Sequence, residues 1–382
     1  MNFLLYVLVG IILFAYIGYP LTIFIFSIFS NHKVKKELQY YPTVSLLIAA
    51  YNEEKIIAEK INNALLTNYP KDKFEIVVVS DGSTDNTDEI VKSFSDFGVK
   101  LYRVEGRVGK TEARNQAVLM DKSDIIVFSD ATGMYESDAI CKMVQNFSDE
   151  SVGMVSGSLK YFEQNEGTMG LATKIYWSYE SSIKNAQSKL WTLTGAIGCI
   201  NAFRRKLYHV LPPNIIEDFT EPLMIISQGY RVVFEKEALT YERTTQKPSQ
   251  EFSMRVRVIR GGMKGFLYGS RFLIKSKNYV SLLQLIGHKV LRWLMPIFLL
   301  ALFLTSITSY FYANNAVVTF LLHAQMICYA LAILGLKWHI PGKLGKIFSI
   351  PTYFLVLNVA SLKALYLTIT EDLEATWETN IY

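Results

Sequence analysis

Cysteine is scarce. Cys141, Cys199 and Cys328 are the three in 382 residues, far apart and without CxxC spacing. Such usage argues against a zinc site and a disulfide framework and fits a reducing cytosol. Glycine-rich phosphate loops are missing too: no GxGxxG follows a strand-like run and no GxxxxGK[S/T] occurs. That sets aside a Rossmann cofactor and a P-loop. There is no internal repeat and no low-complexity linker. A strong charge imbalance is also absent. With 39 basic and 34 acidic side chains the formal net charge is +5, which gives no argument for nucleic acid.

What is abundant is apolar sequence, 51% of the chain, with a mean hydropathy of +0.21. The excess lies at the two ends. Residues 3–30 carry no charged side chain, a length that spans a bilayer. A cleaved signal peptide is the alternative, against which stand the absent basic n-region and the length of the run. His32, Lys33, Lys35 and Lys36 follow and place the next segment in the cytoplasm. Residues 293–336 again lack charge. They read as two spans with a break around Tyr312-Ala313-Asn314-Asn315. Lys289 and Arg292 before the run and Lys337, Lys343 and Lys346 after it put both flanks in the cytoplasm and the turn outside. Residues 347–362 form an uncharged run of 16, interrupted by Pro351 and short of the roughly 20 residues of a clean span. This segment either tilts across or re-enters. Re-entry leaves the C-terminal Ala375-Thr376-Trp377-Glu378 cytoplasmic.

Between the ends, strands alternate with helices. Residues 44–50, 74–80, 99–104 and 125–129 read as short buried strands. Ile56, Ile57, Ile61, Ala64 and Leu65 mark one side of an amphipathic helix, Thr84 or Asp85 caps a helix beginning near Asn86, and Gly109-Lys110-Thr111 opens another. Repeated βα units of this kind predict an α/β fold with a doubly wound, mostly parallel sheet. Ligands of such sheets bind beyond the carboxyl ends of the strands. Those ends carry Asn52 and Glu53, Asp81 and Asp130, with Lys110 and Arg114 facing the same edge. Asp130 is placed to hold a divalent cation against a phosphate; the plainer alternative is a carboxylate that caps the next turn. Several polar ends on one edge favour a nucleotide crevice.

Four segments carry a resemblance: Ala49-Ala50-Tyr51-Asn52-Glu53-Glu54, Val79-Ser80-Asp81-Gly82-Ser83-Thr84-Asp85, Gly109-Lys110 to Asn115, and Ser129-Asp130-Ala131. In order and spacing they resemble the successive motifs of glycosyltransferase family 2, of GT-A fold. The likeness covers about residues 43–262. The flanking membrane segments resemble the membrane-integrated branch that includes hyaluronan, cellulose and poly-N-acetylglucosamine synthases. The resemblance implies a nucleotide sugar as donor and Mg2+ or Mn2+ as cofactor. Asp81 then binds the nucleobase, Asn52 or Glu53 the ribose beside Ala50 and Tyr51, and Lys110 and Arg114 flank the nucleotide. Asp130, followed by Ala131, is the metal carboxylate of a DxD motif whose third position is here Thr132. A hydroxyl is a poorer ligand for a hard cation, so metal binding is weaker or another group, such as His209 or Asp218, completes the shell; otherwise His209 is a surface helix residue.

Residues 152–159 read as a further strand, 167–190 as a helix rich in aromatics that packs on the sheet or lies on the membrane surface, and 231–235 and 238–241 as two more strands. The stretch Thr194-Gly195-Ala196-Ile197-Gly198-Cys199 and on to Arg205 resembles the family's glycine-bearing acceptor segment; a strand with a bulge is the alternative. Ile216-Glu217-Asp218-Phe219 resembles its E/T-E-D motif, with Asp218 matching the base and Glu217 the neighbouring acid. Both are otherwise capping acids of the next helix. Arg257 and Arg260 share a helix face and can clamp a diphosphate. Their place resembles the family's QxxRW motif, with Arg257 for the Gln and Gly261 for the Trp. The missing Trp argues against processive synthesis. A basic interfacial helix is the other reading.

The expected organisation is a transmembrane helix over 1–31, a GT-A domain over 43–250, interfacial amphipathic helices over 251–290, a transmembrane region of two spans plus a third or re-entrant segment over 291–370, and a tail over 371–382. The expected function is inverting sugar transfer, most readily from a UDP-sugar, to a lipid-linked or growing glycan acceptor on the cytoplasmic face of the cell membrane, adding one or few sugars. Two alternatives stand beside it. One is a processive polysaccharide synthase. The other is a non-catalytic nucleotide-binding scaffold of a glycan assembly complex, which the missing acid at Thr132 keeps open. A small-molecule transporter is disfavoured by the few polar groups in the membrane segments.

Overall fold

The apolar runs of the central region become the strands of one sheet. The structure is a computed structural model, and it describes residues 2–30, 32–162, 168–243, 248–312, 315–337, 342–372 and 374–376. The strands are β1 (Val44–Ala50), β2 (Phe74–Ser80), β3 (Val99–Arg103), β4 (Ile125–Asp130), β5 (Met134–Tyr135), β6 (Val152–Phe162), β7 (Ile200–Arg204) and β8 (Arg231–Arg243). They form an eight-stranded sheet in the order β3-β2-β1-β4-β7-β6-β8-β5. The first four are mutually parallel, with Ala49 opposite both Val79 and Asp130. β7 runs antiparallel to β4 and β6, and β8 runs parallel to β6. The carboxyl ends of β1, β2, β4, β6 and β8 therefore share one edge with the start of β7. Leu46, Ile48, Val78, Ile126 and Phe203 of these strands are completely buried, as strands covered on both faces require.

Residues 231–243 form one strand where two were expected. The interruption is real but local: Ser156 pairs with Phe234 and Ser158 with Leu239, so residues 235–238 bulge opposite Gly157. Lys236 and Glu237 are exposed on that bulge. The helix Thr87–Lys92 has Asn86 at its cap position without a side-chain cap bond; Asp85, one of the two expected caps, sits one residue earlier, and its Oδ1 accepts the Thr87 N–H at 3.0 Å. The aromatic helix is Thr168–Leu190, and residues 163–167 before it lie outside the described residues.

Among the described residues four helices are long and apolar enough to cross a membrane: Phe3–Phe29, Met295–Tyr312, Ala316–Lys337 and Ile347–Thr370. The last belongs to one continuous helix, Gly342–Thr370, which passes through Pro351. The apolar window reaches 24 residues by including Lys363, whose ammonium lies 5.6 Å from the centre of the Phe252 ring. A lysine stem of this kind covers apolar surface with its alkyl chain, so the charge that ended the apolar run in the sequence does not end the helix.

Candidate functional site

The strand ends at the shared edge are tied together by side chains. Asn52 adopts a left-handed backbone, φ 54°, and its Oδ1 accepts the Thr84 N–H at 2.8 Å. The Thr87 hydroxyl accepts the Glu53 N–H at 2.8 Å. These bonds join the loop after β1 to the loop after β2. The Tyr51 ring lies under the Arg107 guanidinium at 4.0 Å. Asp81 accepts the N–H groups of Val108 at 2.8 Å and Gly109 at 3.0 Å, so in this structure its carboxylate fixes the turn that opens the helix Lys110–Met120. Gly109 has φ +94°, and a Cβ there would come within 2.3 Å of the Ala375 carbonyl oxygen. The C-terminal segment thus lies against this turn.

That turn aims the helix at β4. Lys110 Nζ is 2.7 Å and Arg114 Nη2 is 2.9 Å from the same oxygen of Asp130, Oδ1. Burial opposes charge on Asp130, but Lys110 and Arg114 outweigh it and hold the carboxyl below its ordinary value. Arg114 is fully buried, and its Nη1 reaches Glu217 Oε1 at 2.7 Å. The Thr111 hydroxyl donates to the other oxygen of Glu217 at 2.8 Å. Burial again opposes the charge of Glu217, and Arg114 and Lys110 again win, so its carboxyl is also lowered. Both oxygens of Glu217 are therefore spoken for by the scaffold.

Asp218, the next residue, differs. It stands in the first turn of the helix Glu217–Ser227. Its carboxylate has no hydrogen bond or ion pair among the described residues, and its pKa is raised by burial and by the charges of Glu217 and Asp130. The loop before β7 wraps it. The Ala196 N–H donates to its carbonyl at 2.9 Å, and a Cβ at Gly198 would stand 3.0 Å from Asp218 Oδ2. Glycine thus allows backbone to approach the carboxylate. Gly198→Ala should displace Asp218 by a few tenths of an ångström and cut turnover roughly tenfold with donor affinity unchanged, as steady-state kinetics would show.

One cavity of about 630 Å³ joins these groups. Lys110, Arg114, Asp130, Gly195, Gly198, Glu217, Asp218 and Arg257 line it. Ala50, Tyr51, Asn52, Glu53, Asp81 and the buried Ala131 do not; they sit at the adjoining strand ends. Arg260 is separated from Arg257: it donates to the carbonyls of Glu371 at 3.1 Å and Asp372 at 2.9 Å. The two arginines share a helix face, as expected, but the C-terminal segment takes one of them, so a joint clamp is not what the structure presents. The same cavity is also walled by Tyr353, Phe354 and Leu357 of the helix Gly342–Thr370, and by Glu180, Lys184, Lys289 and Arg292. Arg292 meets Glu180 at 3.0 Å. Burial lowers the Lys184 ammonium to about 8.

His209 does not complete a metal shell. Its ring packs edge-on against Phe272, 5.6 Å between centres, and the backbone N–H of His209 donates to Glu221 Oε1 at 3.0 Å. The other oxygen of Glu221 is buried without a partner, and burial raises this carboxyl to about 8. A raised carboxyl keeps its proton in the fold, so its contribution to stability is full below about 4.5 and is lost as pH climbs to about 8. Glu221→Gln should remove that slope and add on the order of 2 kcal/mol at pH 8, read as a melting temperature that falls less between pH 5 and 8 than that of the parent.

Residues without a sequence signal join the site. Lys60, on the helix Ile57–Leu65, is completely buried; its ammonium donates to the Gly133 carbonyl and lies 4.2 Å from the Tyr135 ring centre. It pins the turn that follows Asp130, and burial lowers it to about 7. Glu242, near the end of β8, lines the cavity, and its Oε1 accepts from the Thr132 hydroxyl at 3.4 Å. No spacing in the chain relates either residue to Asp130; only the sheet order does.

A divalent cation would find oxygen here, the donor type hard cations take. Lys110 and Arg114 leave Asp130 Oδ2 unengaged, and Glu53 Oε2, on the neighbouring loop, is buried without a partner. Among the described residues no group of three or more His, Cys, Asp or Glu could hold a metal by itself.

The family model for glycosyl transferase family 2 matches residues 45–211. A poly-beta-1,6-N-acetyl-D-glucosamine synthase of Staphylococcus epidermidis is 26% identical over 251 residues, 64% of this chain and 60% of that protein. The synthase of the same name from Staphylococcus aureus strain COL is 28% identical over 248 residues, 62% of this chain and 58% of that protein. The chain thus matches about three fifths of the length of these curated relatives. A mannosyltransferase from Pyrobaculum calidifontis, solved in complex with GDP-Man and Mn2+, superposes with a TM-score of 0.73 over 96% of this chain and 99% of that one, at 21% identity. That likeness shows the fold: a GT-A-like sheet domain with an N-terminal apolar helix and three C-terminal ones.

Proposed function

We propose that this chain, whose residues 45–211 are a glycosyl transferase family 2 domain, is an inverting hexosyltransferase of the cell membrane with its sheet domain on the cytoplasmic face. It moves a sugar from a nucleotide sugar, of the UDP class, to a lipid-linked or growing glycan acceptor in envelope polysaccharide or glycolipid synthesis. The observation that carries this reading is a single cavity in which the unpaired Asp218 faces Lys110 and Asp130, and which the membrane-type helix Gly342–Thr370 also walls. The GDP-Man of the mannosyltransferase complex is in keeping with a nucleotide-sugar donor, and the synthase relatives with a glycan product.

The donor's diphosphate is received at the Lys110 and Arg257 end. The acceptor enters from the end walled by Tyr353 and Phe354. Asp218 takes the proton from the acceptor hydroxyl as that oxygen bonds to the anomeric carbon. The bond from that carbon to the diphosphate oxygen breaks on the opposite side, and the basic side chains receive the charge that develops there. Asp130 would hold Mg2+ or Mn2+, which when bound supplies further positive charge to the leaving diphosphate. Arg114, paired with Glu217 and Asp130, holds the two acidic elements in register.

The test uses the full chain in lipid nanodiscs with a panel of UDP- and GDP-sugars, Mn2+ and a lipid extract. Release of one nucleoside diphosphate matched by incorporated sugar is expected, and product length separates single transfer from processive synthesis. Binding across the panel without turnover would favour the scaffold reading instead.

A further inference from the structure

We propose that Lys184, Lys289 and Arg292 receive the phosphate group of a membrane lipid, and that this lipid carries the hydroxyl that accepts the sugar. The proposal rests on the reading of Asp218 as the base for a membrane-borne acceptor and names the chemical class of that acceptor.

The three cations come from two elements that meet beside the membrane-type helices. Lys184 stands one turn after Glu180 on the helix Thr168–Leu190. Lys289 and Arg292 stand on the segment that leads into the apolar helix Met295–Tyr312. All four line the cavity that holds Asp218. The N-terminal apolar helix reaches the same place. The Tyr16 carbonyl accepts from the Tyr179 hydroxyl at 2.8 Å, and the Tyr16 ring lies 5.7 Å from that of Phe354. Both rings line the cavity. Basic pockets between membrane helices on the cytoplasmic side are where lipid head groups bind.

Charge does not balance in this cluster. Glu180 meets Lys289 through Oε1 and Arg292 through Oε2. Burial pushes the neighbouring His288 down to about 3, so it adds no charge. Lys184 is left over. It is buried, 5% exposed, and among the described residues no carboxylate lies within ion-pair distance of it. Its ammonium has a long hydrogen bond, 3.4 Å, to the Ala196 carbonyl. Neutralising Glu180 needs one cation, and three are present. A buried charge is costly unless it is paired, so the excess is accounted for by an anion that arrives with the substrate. Lys and the planar fork of Arg together suit a phosphate. Burial and the Lys289 charge lower the Lys184 ammonium to about 8, and a bound anion would reverse that shift. Asp218 also acts on Lys184, which links the phosphate site to the base. In a lipid the phosphate lies between the tail and the headgroup hydroxyl. A phosphate at Lys184 and Arg292 therefore leaves the tail beside Tyr16 and Phe354 and turns the hydroxyl towards Asp218. A free phosphate has no use for those apolar walls.

The experiment is native mass spectrometry of the full chain in neutral detergent, titrated with dioleoyl phosphatidic acid and with dioleoylglycerol, which lacks only the phosphate. The parent should hold the phosphatidic acid roughly tenfold more tightly. Lys184→Met should remove most of that preference and leave UDP and GDP binding unchanged. Its melting temperature should match or exceed the parent's, because the change removes an unpaired buried charge. Inorganic phosphate at the same concentration should not displace the lipid. In transfer to a lipid extract, Lys184→Met should raise the acceptor KM and leave the donor KM alone. Equal retention of the two lipids by the parent, an undiminished preference in Lys184→Met, displacement by inorganic phosphate, or an unchanged acceptor KM overturns this inference; sugar transfer by the parent would still leave the proposed function standing. Loss of nucleotide binding or a lower melting temperature in Lys184→Met assigns the residue a structural role and overturns it as well. Lipid preference intact with no transfer from any donor would instead count against the proposed function and take the acceptor role of the lipid with it.

Discussion

Asp218→Asn is expected to cut sugar transfer by about 10²–10⁴-fold while nucleotide-sugar affinity stays at the parental level. The asparagine keeps the size of the side chain and loses only the site that accepts the proton. The neighbouring acid gives the contrast. Glu217 has both oxygens engaged, by Arg114 and by the Thr111 hydroxyl, so Glu217→Gln acts through stability and positioning. The pH profile adds a second readout. Burial and the charges of Glu217 and Asp130 raise the Asp218 carboxyl. A base must be deprotonated to act, so activity should fall on the acid side at a pH above the ordinary aspartate range. A fully active Asp218→Asn would remove the base assignment.

Arg114→Met has the largest expected effect on stability. The guanidinium is completely buried, spans Glu217 and Asp130, donates to the Ser129 carbonyl at 3.0 Å and lies 4.4 Å from the Phe128 ring centre. Its removal leaves Glu217 buried and unpaired, which costs about 3–5 kcal/mol and should lower the melting temperature of the sheet domain by roughly 10 °C. Coupling the change to Glu217→Gln removes the stranded charge, so the double variant should recover part of the loss. Equal melting of Arg114→Met and the parent would show that the pair is solvated in a way the structure excludes.

The sequence carried the first half of the sheet in full view because β1, β2, β3 and β4 are short apolar runs that each end in polar residues. The convergence of Asp130 and Lys110 was legible for the same reason: strand ends in a parallel sheet share an edge. The pairing of Glu217 with Arg114 was not, since a capping acid and a buried ion pair look alike in one dimension. Glu242 was invisible because it is 110 residues from Thr132 and becomes its neighbour only through the antiparallel pairing of β5 with β8. Lys60 reads as a solvated helix lysine until the turn after Asp130 covers it. Arg260 keeps the expected face beside Arg257, but helical periodicity fixes which face a side chain leaves from, not which segment comes to meet it, and the C-terminal segment engages this one. Likewise Lys363 ended an apolar run in the sequence, while the helix continued with its ammonium held over Phe252.

Asp81 shows how a residue's place and its role separate. It stands at the predicted strand end, yet its carboxylate holds the backbone N–H groups of Val108 and Gly109. A nucleobase that used Asp81 would have to share it with that turn.

The central claim is that one cavity brings an activated sugar and a hydroxyl acceptor together with a carboxylate base on the acceptor's side. The most direct measurement is the anomeric configuration of the transferred sugar, read by nuclear magnetic resonance on product made by the purified full chain from an isotopically labelled nucleotide sugar. The account predicts a product inverted at the anomeric carbon relative to the donor, formed by the parent and not by Asp218→Asn. A retained configuration, or an inverted product made equally well without the Asp218 carboxylate, would contradict it.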